Sequence, residues 1–307
     1  MRRPLRSIMI CNPAYVSAYV LGVAQAMAML GHWHREISVL ADFDRVSRQL
    51  EEHRPDIIWT HTVPWVPREA PAPGWGYLDL LSEWRKRGSR VLLHDGDPRA
   101  ATRHPRDLSA AFDFALCNHA QNRIDWKIPT VRWPYAAMVQ REIGEPVNAL
   151  RCGLLFAGIV RKDDDLYSPR TDVLGLLRER LGDRLAVRSG VVNDRMQAAD
   201  VASSAQAVLG FGRPEIKGWV DTRVFQYPGA GGVLLHDDAA EFLVPGVHFV
   251  EFKRGSTAEE TAAGVVEAFG RVGHEEIEMR ARAFAHVQAH HTWRHRVESV
   301  LNLLGVA

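Results

Sequence analysis

Short apolar runs alternate with longer amphipathic runs along most of the chain. Short apolar runs that end in Gly, Pro, Asn or Asp are typical of buried parallel strands, and the longer runs are typical of helices that cover a sheet. In the first half this pattern predicts strands in RSIMIC, REISVLAD, DIIWTHT, SRVLLHD, FDFALC and TVRWPYA, and helices in AYVLGVAQAMAML, DRVSRQLEEHRP and YLDLLSEWRKRG.

The alternation restarts near residue 151. Further strands are predicted in RCGLLFAG, RLAVRSG, AQAVLGFG, GVLLHD and GVHFVEF, and helices in RTDVLGLLRERLG, RMQAADVASS, WVDTRVFQYPGAG and most of the chain after residue 256. Because strands alternate with helices, we expect an α/β protein with doubly wound parallel sheets. Two Rossmann-like domains are predicted, an N-terminal one at 1–148 and a C-terminal one at 149–307. Ligands bind beyond the carboxyl ends of such strands, so a cleft between the domains is the expected site.

Composition narrows the class of protein only slightly. The 307 residues carry a net charge of +1, which favours neither nucleic acid nor membrane as a partner. No apolar run is long enough to span a bilayer, and Asn12-Pro13 interrupts the first one before any signal-peptide cleavage site. Cys11, Cys117 and Cys152 form no CxxC pair and are expected to be reduced thiols. We therefore expect a cytoplasmic protein.

A glycine and two cations follow the first predicted strand of the second half. Gly158 lets a ligand approach the backbone, and Arg161 and Lys162 could bind a diphosphate. Arg213 and Lys217 follow a later strand in GFGRPEIKG, which matches neither the GxGxxG fingerprint nor a Walker A motif. A plain turn with surface cations is the alternative interpretation.

The segment DTRVFQYPGAGGVLLHDD is predicted to form a helix, a glycine turn and a strand. Arg223 would lie near the amino end of that helix, where free N–H groups favour phosphate. Gln226, one turn on, could bind ribose hydroxyls through its amide. Alternatively, Gln226 is simply a partly exposed helix residue.

These features resemble a known family. From LLFAG to HTWRHRVESVL the sequence resembles the C-terminal half of GT-B glycosyltransferases, in particular the spore-maturation-protein type with its glycosyl-transferase-group-1-like domain. The likeness lies in an Arg-apolar-Phe-x run followed by glycines and an apolar strand, and in a His-Thr-aromatic-x-x-Arg ending. The residues that carry it are Arg223, Val224, Phe225, Gln226, Gly229, Gly231, Gly232, His291, Thr292, Trp293 and Arg296.

The resemblance implies a nucleoside-diphosphate sugar as co-substrate, a UDP-sugar first of all, with no cofactor and no metal required. It also implies two domains that face across a cleft, with the C-terminal helix crossing back to the N-terminal domain. Gly158, Arg161 and Lys162 would meet the diphosphate and sugar, and Arg223 and Gln226 the nucleotide. This chain departs from the family at Gln226, where a glutamate is usual, and at Gly218, where an upstream glutamate would fall.

The N-terminal half is expected to bind the acceptor. His94, Asp95 and Asp97 follow a buried strand, and a carboxylate or imidazole there could accept the proton of an acceptor hydroxyl or stabilise an oxocarbenium-like centre. Alternatively, Asp95 caps a helix and Asp97-Pro98 begins a turn. Further acceptor-binding residues are proposed at strand ends and in the next loop: Asn12, Arg99 and Arg103.

The acceptor itself is left open as a small molecule, a glycan or DNA. Arg85, Lys86, Arg87 and Arg90 lie among tryptophans in the same half, which would suit a DNA-modifying glycosyltransferase that flips out a hydroxylated base. These cations could equally form a solvated helix face. A nucleotide-sugar hydrolase or epimerase and a non-catalytic nucleotide-sugar binder are the remaining alternatives.

Overall fold

A computed structural model describes most of the chain. The described residues are 3–11, 18–38, 43–61, 74–95, 109–118, 128–140, 152–158, 160, 168–189, 195–213, 219–273 and 276–306.

The first half forms a six-stranded parallel sheet with the strand order β2-β1-β3-β4-β5-β6. Its strands are β1 (Arg6–Cys11), β2 (Trp33–Ser38), β3 (Ile57–His61), β4 (Arg90–Asp95), β5 (Phe114–Cys117) and β6 (Thr130–Arg132). Its helices are α1 (Ala18–Met29), α2 (Phe43–His53) and α3 (Gly74–Lys86). All six predicted strands are present, although β2 begins two residues earlier than REISVLAD suggests.

Both faces of this sheet bury apolar side chains. One face buries aliphatic side chains such as Ile8, Ile58 and Leu93 in a continuous core that includes residues of α2 and α3. A polar contact joins β3 and β1, since the indole Nε1 of Trp59 donates to Ser7 Oγ at 2.8 Å. The apolar runs of the sequence therefore form the centre of the sheet, as predicted.

The second half forms a five-stranded parallel sheet with the strand order β11-β10-β9-β7-β8. The strands are β7 (Cys152–Gly158), β8 (Leu185–Ser189), β9 (Ala205–Leu209), β10 (Leu234–His236) and β11 (Val250–Glu251). The helices are α4 (Ser168–Leu181), α5 (Arg195–Ser203), α6 (Arg223–Gln226), α7 (Ala258–Gly270), α8 (Glu276–His290) and α9 (Trp293–Leu303). The predicted α/β class with two parallel sheets is confirmed.

Two compact units divide the chain. The first comprises Met1–Pro134, Glu215–Trp219 and Arg294–Ala307, and the second Tyr135–Pro214 and Val220–Trp293. The C-terminal helix from Arg294 onward thus belongs to the unit of the first sheet. Within that unit, Trp133 Nε1 donates to the carbonyl of Arg296 at 3.0 Å, and Arg296 Nε donates to the carbonyl of Pro134 at 3.1 Å.

The helix predicted in WVDTRVFQYPGAG is wrong in length. Only the four residues of α6 are helical, and a 3₁₀ turn at Pro228–Ala230 follows. Pro228 has no N–H to continue the helix, and Gly231 adopts the left-handed conformation with φ +82° that ends the turn. Among the described residues, no helix combines the length and the apolar character needed to cross a bilayer.

Candidate functional site

The carboxyl ends of β7, β9 and β10 meet at one edge of the second sheet. Phe156 of β7 is paired with Leu209 of β9, and Leu209 with Leu235 of β10. Gly158, Gly210 and His236 therefore end or follow adjacent strands. Ligands of open α/β sheets bind at this edge, and most of the described polar residues singled out in the second half lie near it.

Arg223 closes the end of β7. Its Nε and Nη2 both donate to the carbonyl oxygen of Ala157, at 3.0 and 2.7 Å, and its guanidinium lies 5.3 Å from the ring centroid of Phe156. A Cβ on residue 158 would overlap Nη2 of Arg223. Glycine at 158 thus leaves room for the guanidinium beside it, a reason that the sequence alone does not reveal.

Asp221 holds this guanidinium from the other side. Its carboxylate accepts hydrogen bonds from Arg223 Nη1 at 2.5 Å and from the Arg223 backbone N–H at 2.9 Å, and the side chain is only 3% exposed. Burial is the largest influence and acts to raise the pKa of Asp221, but the charges and hydrogen bonds of its neighbours, Arg223 foremost, together outweigh it and hold the pKa below its ordinary value. Burial acts to lower the pKa of Arg223, but Asp221 and Tyr227 together outweigh that effect and raise the pKa. Both groups are therefore ionised.

His236 lies at the end of β10 and is fully buried. Its Nδ1 accepts the backbone N–H of Asp238 at 2.9 Å, which places the proton of the neutral ring on Nε2. Burial lowers the pKa of His236, although Asp237 and Asp221 act to raise it. The ring also fills the space beside Gly210, where a Cβ would lie 2.5 Å from Cδ2 of His236.

A second carboxylate–guanidinium pair fixes the loop after β9. Asp237 accepts the backbone N–H of Gly212 at 2.6 Å and an ion-paired hydrogen bond from Arg254 Nε. Arg254 Nη2 donates to the carbonyl of Gly212 at 2.9 Å. The negative charges of Asp221 and Asp237 are each matched by an arginine, so neither carboxylate is left unpaired at this edge.

A pocket of about 400 Å³ adjoins Phe211 in the second unit. It lies at the amino ends of α4 and α7, and the guanidinium groups of Arg170 and Arg254 are on its wall. Arg170 is 5.6 Å from the ring centroid of Phe156, the same ring that Arg223 contacts. Phe156 therefore links the wall of the pocket to the Asp221–Arg223 pair.

The structure places the predicted residues of the second half unevenly. Gly158 and Arg223 are brought into contact, whereas Gln226 is only 4% exposed and Arg213 is half-buried. Arg223 does not offer a free helix terminus, because α6 is four residues long and its first N–H is bound by Asp221. Three predicted donor-binding residues lie outside the described part of the chain: Arg161, Lys162 and Lys217.

The Asp221–Arg223 and Asp237–Arg254 pairs and the buried His236 were not predicted from the sequence. Asp221 and Arg223 are two residues apart, a spacing that permits an ion pair but does not require one. His236, Asp237 and Asp238 follow a predicted strand, which was the available signal for a strand-end site.

In the first sheet, His94 lies in an aromatic cluster. Its ring is stacked on Tyr19 with centroids 3.8 Å apart and packs edge-on against Trp133 at 5.9 Å, and it is 1% exposed. This burial favours a packing role for His94 over proton transfer. Asp95 ends β4, paired with Cys117 of β5. Four other predicted residues lie outside the described ranges: Asn12, Asp97, Arg99 and Arg103.

The cations before β4 are engaged by acids. Arg85 Nε donates to Asp113 at 3.2 Å, Arg90 Nη1 lies 3.5 Å from the same carboxylate, and Arg87 is paired with Glu51 and Glu83. These contacts favour the interpretation that the cations form a solvated helix face rather than a DNA-binding surface. In the described part of the chain, no three His, Cys, Asp or Glu side chains converge in a way that could hold a metal ion.

Comparison with known proteins supports the resemblance to glycosyltransferases. Residues 162–302 match the family model described as "Glycosyl transferase-like", which covers a little under half of the 307 residues. No curated protein sequence matches the chain.

Solved structures match over nearly the whole chain. An alpha-glucosyltransferase in complex with UDP and a 13-mer DNA containing a HMU base has a TM-score of 0.66 and 10% identity, with 99% of this chain and 100% of that chain covered. BGT of T4 phage with its UDP-glucose substrate has a TM-score of 0.62 and 11% identity, with 98% and 99% covered. A glycosyltransferase from Rickettsia africae has a TM-score of 0.57 and 10% identity, with 98% of both chains covered. The fold of this protein is the GT-B glycosyltransferase fold, and residues 162–302 are similar to the glycosyl transferase-like family.

Proposed function

We propose that this protein is a glycosyltransferase that moves a sugar from a nucleoside-diphosphate sugar, a UDP-sugar in the first instance, to an acceptor hydroxyl. The observation that carries the proposal is the Arg223 guanidinium, fixed by Asp221 and packed on Gly158 at the carboxyl end of β7. It lies in the half that matches the glycosyltransferase-like family model.

The donor diphosphate is assigned to the end of β7. The guanidinium of Arg223 fills the space beside Gly158, and its N–H groups would donate to a phosphate at this strand end. Arg161 and Lys162 follow Gly158 in the sequence and would add two more cations. We assign the nucleoside to the pocket beside Phe211, where Arg170 and Arg254 provide further donors.

Gln226 does not serve the ribose in this proposal. Its side chain is buried, and an amide lacks the second acceptor oxygen with which a glutamate binds two hydroxyls. Nucleoside recognition is therefore expected to depend on the pocket lining more than on residue 226.

On the acceptor side, we assign Asp95 as the group that accepts the hydroxyl proton. A positioned carboxylate contributes about 10²–10⁴-fold to such a step. His94 supports the end of β4 through its stack on Tyr19.

Calorimetric titration with UDP, UDP-glucose and the corresponding guanine, adenine and thymine nucleotides tests the donor assignment. We expect one nucleoside diphosphate and its sugar to bind, with loss of binding in Arg223→Gln but not in the exposed Arg188→Gln. The absence of any binding would overturn the proposal. Product analysis then separates transfer from the hydrolase and epimerase alternatives, because free sugar or an altered nucleotide sugar without acceptor would indicate those activities.

DNA with a hydroxylated base is the second candidate acceptor. Its support is that two of the similar structures involve DNA by name: one is bound to a 13-mer DNA containing a HMU base, and the other is described as a DNA modifying enzyme. The acid-paired arginines of α3 and β4 argue against a basic DNA surface at that place. The test uses DNA duplexes with and without hydroxymethylated pyrimidines, together with the donor that binds, at two salt concentrations. It would decide whether DNA is the acceptor.

A further inference from the structure

The side chain of Asp221 is buried within the second unit and does not face solvent. It is 3% exposed, and its two carboxylate oxygens are directed to Arg223 and to the neighbouring Thr222 hydroxyl, which donates at 3.3 Å. A buried carboxylate is costly unless it is paired and hydrogen-bonded. The role of Asp221 is therefore to be found in the group with which it pairs.

The contacts of Arg223 provide that explanation. The fork of the guanidinium spans Asp221 on one side and the carbonyl of Ala157 on the other, which joins the segment before β10 to the end of β7. Without Asp221, Arg223 would retain the carbonyl of Ala157, the Phe156 ring and a neighbouring phenol, Tyr227, and would lose its carboxylate partner. A flexible guanidinium there would no longer be fixed beside Gly158 at the end of β7.

We propose that Asp221 is a positioning residue for the donor diphosphate: it fixes Arg223 over Gly158 so that the charge and the backbone at the end of β7 are in place before the ligand arrives. This inference rests on the proposed function and deepens it. Asp221 is not expected to touch the donor. Asp221 is proposed to act on the donor only by holding Arg223. Its substitution should therefore weaken binding of the phosphate part of the donor and leave binding of the nucleoside unchanged.

The surrounding charges agree with this role. His236 is neutral, and Asp237 is occupied by Arg254, so neither replaces Asp221 as a partner of Arg223. An asparagine at 221 has the same shape, but it can turn an NH2 group toward the Arg223 fork, where two donors would face each other. Asp221→Asn therefore removes the orientation of Arg223 with little change in packing.

The test compares a nucleoside diphosphate with its nucleoside. Binding of UDP and of uridine, or of the nucleotide pair that wild type prefers, is measured by calorimetry for wild type, Asp221→Asn and Arg223→Lys. Lysine has no fork with which to reach Ala157 and Asp221 together. Asp200→Asn is the matched control, because Asp200 forms an exposed ion pair with Arg188 in the same unit.

We expect Asp221→Asn and Arg223→Lys to weaken binding of the diphosphate by about ten- to a hundred-fold and to leave the nucleoside unchanged, with no effect of Asp200→Asn. Unchanged diphosphate binding in Asp221→Asn, or equal losses for diphosphate and nucleoside, would overturn the positioning role. If Asp221→Asn does not fold, Arg223→Lys decides by the same comparison. Failure of wild type to bind any nucleoside diphosphate would instead overturn the proposed function.

Discussion

Nη2 of Arg223 occupies the space in which a side chain on residue 158 would lie, so a larger residue at 158 would require the Arg223 guanidinium to shift away from Ala157 and Asp221. The pair joins the first strand of the second sheet to the segment that precedes β10. A glycine that looks like part of a simple turn in the sequence is thereby tied to a buried ion pair.

Replacement of Gly158 by alanine tests this relationship. The added methyl group would displace Arg223, so we expect a loss of about 1–3 kcal/mol in the free energy of unfolding, as in other overpacked sites, together with weaker binding of nucleoside diphosphate. Urea denaturation and calorimetry measure the two effects. Gly175→Ala is the control, because nothing lies within 4 Å of a Cβ there and alanine favours the interior of α4. A Gly158→Ala protein as stable as Gly175→Ala would refute the steric argument.

The glycine run of residues 229–232 has several causes. A Cβ on Gly229 would lie 2.5 Å from Cβ of Ala137, a Cβ on Gly232 would lie 2.9 Å from that of Ala202, and Gly231 needs positive φ. We expect Gly229→Ala to lower the free energy of unfolding by about 1–3 kcal/mol because a packed contact must open. Gly270→Ala, with no atom within 4 Å of the new Cβ, should change it little. Equal unfolding midpoints in urea would contradict the close-packing explanation.

The sequence was sufficient to predict the strands, because buried parallel strands need continuous apolar runs and the chain supplies them. It was insufficient for α6, since the pattern in 218–230 does not show that Pro228 and tight packing at Gly229 stop the helix after Gln226. Gly158 and Arg223 could be singled out one by one. Their contact could not, because it depends on how β7 and the segment before β10 come together. The burial of Gln226 was missed for the same reason.

His236 should make stability depend on pH. Its pKa is lowered in the folded protein by burial, whereas an unfolded histidine titrates near 6.5. Since the unfolded state binds the proton first, the contribution of His236 is present above about pH 6.5 and is lost as pH falls further. We expect His236→Gln to reduce the slope of the free energy of unfolding plotted against pH, between about pH 7.5 and 5. The slope should not vanish, because the pKa of His34 is also lowered, to about 4, by burial.

Urea denaturation at several pH values gives that slope directly. The exposed His290 provides the control, since His290→Gln removes an imidazole from the same unit without opening the core. An unchanged slope in His236→Gln would mean that the buried ring does not control the acid limit of stability.

His94 and Asp95 adjoin in the chain but should respond differently to substitution. Phe can keep the stack of residue 94 on Tyr19 and cannot transfer a proton, so we expect His94→Phe to fold and to retain turnover within about ten-fold of wild type. Asp95→Asn keeps the shape and removes the proton acceptor, so turnover should fall by about 10²-fold or more with little change in donor binding. Steady-state rates with saturating donor and acceptor distinguish the two. A loss of turnover in His94→Phe as large as that in Asp95→Asn would indicate that the imidazole takes part in catalysis. Undiminished turnover in Asp95→Asn would show that the carboxylate does not.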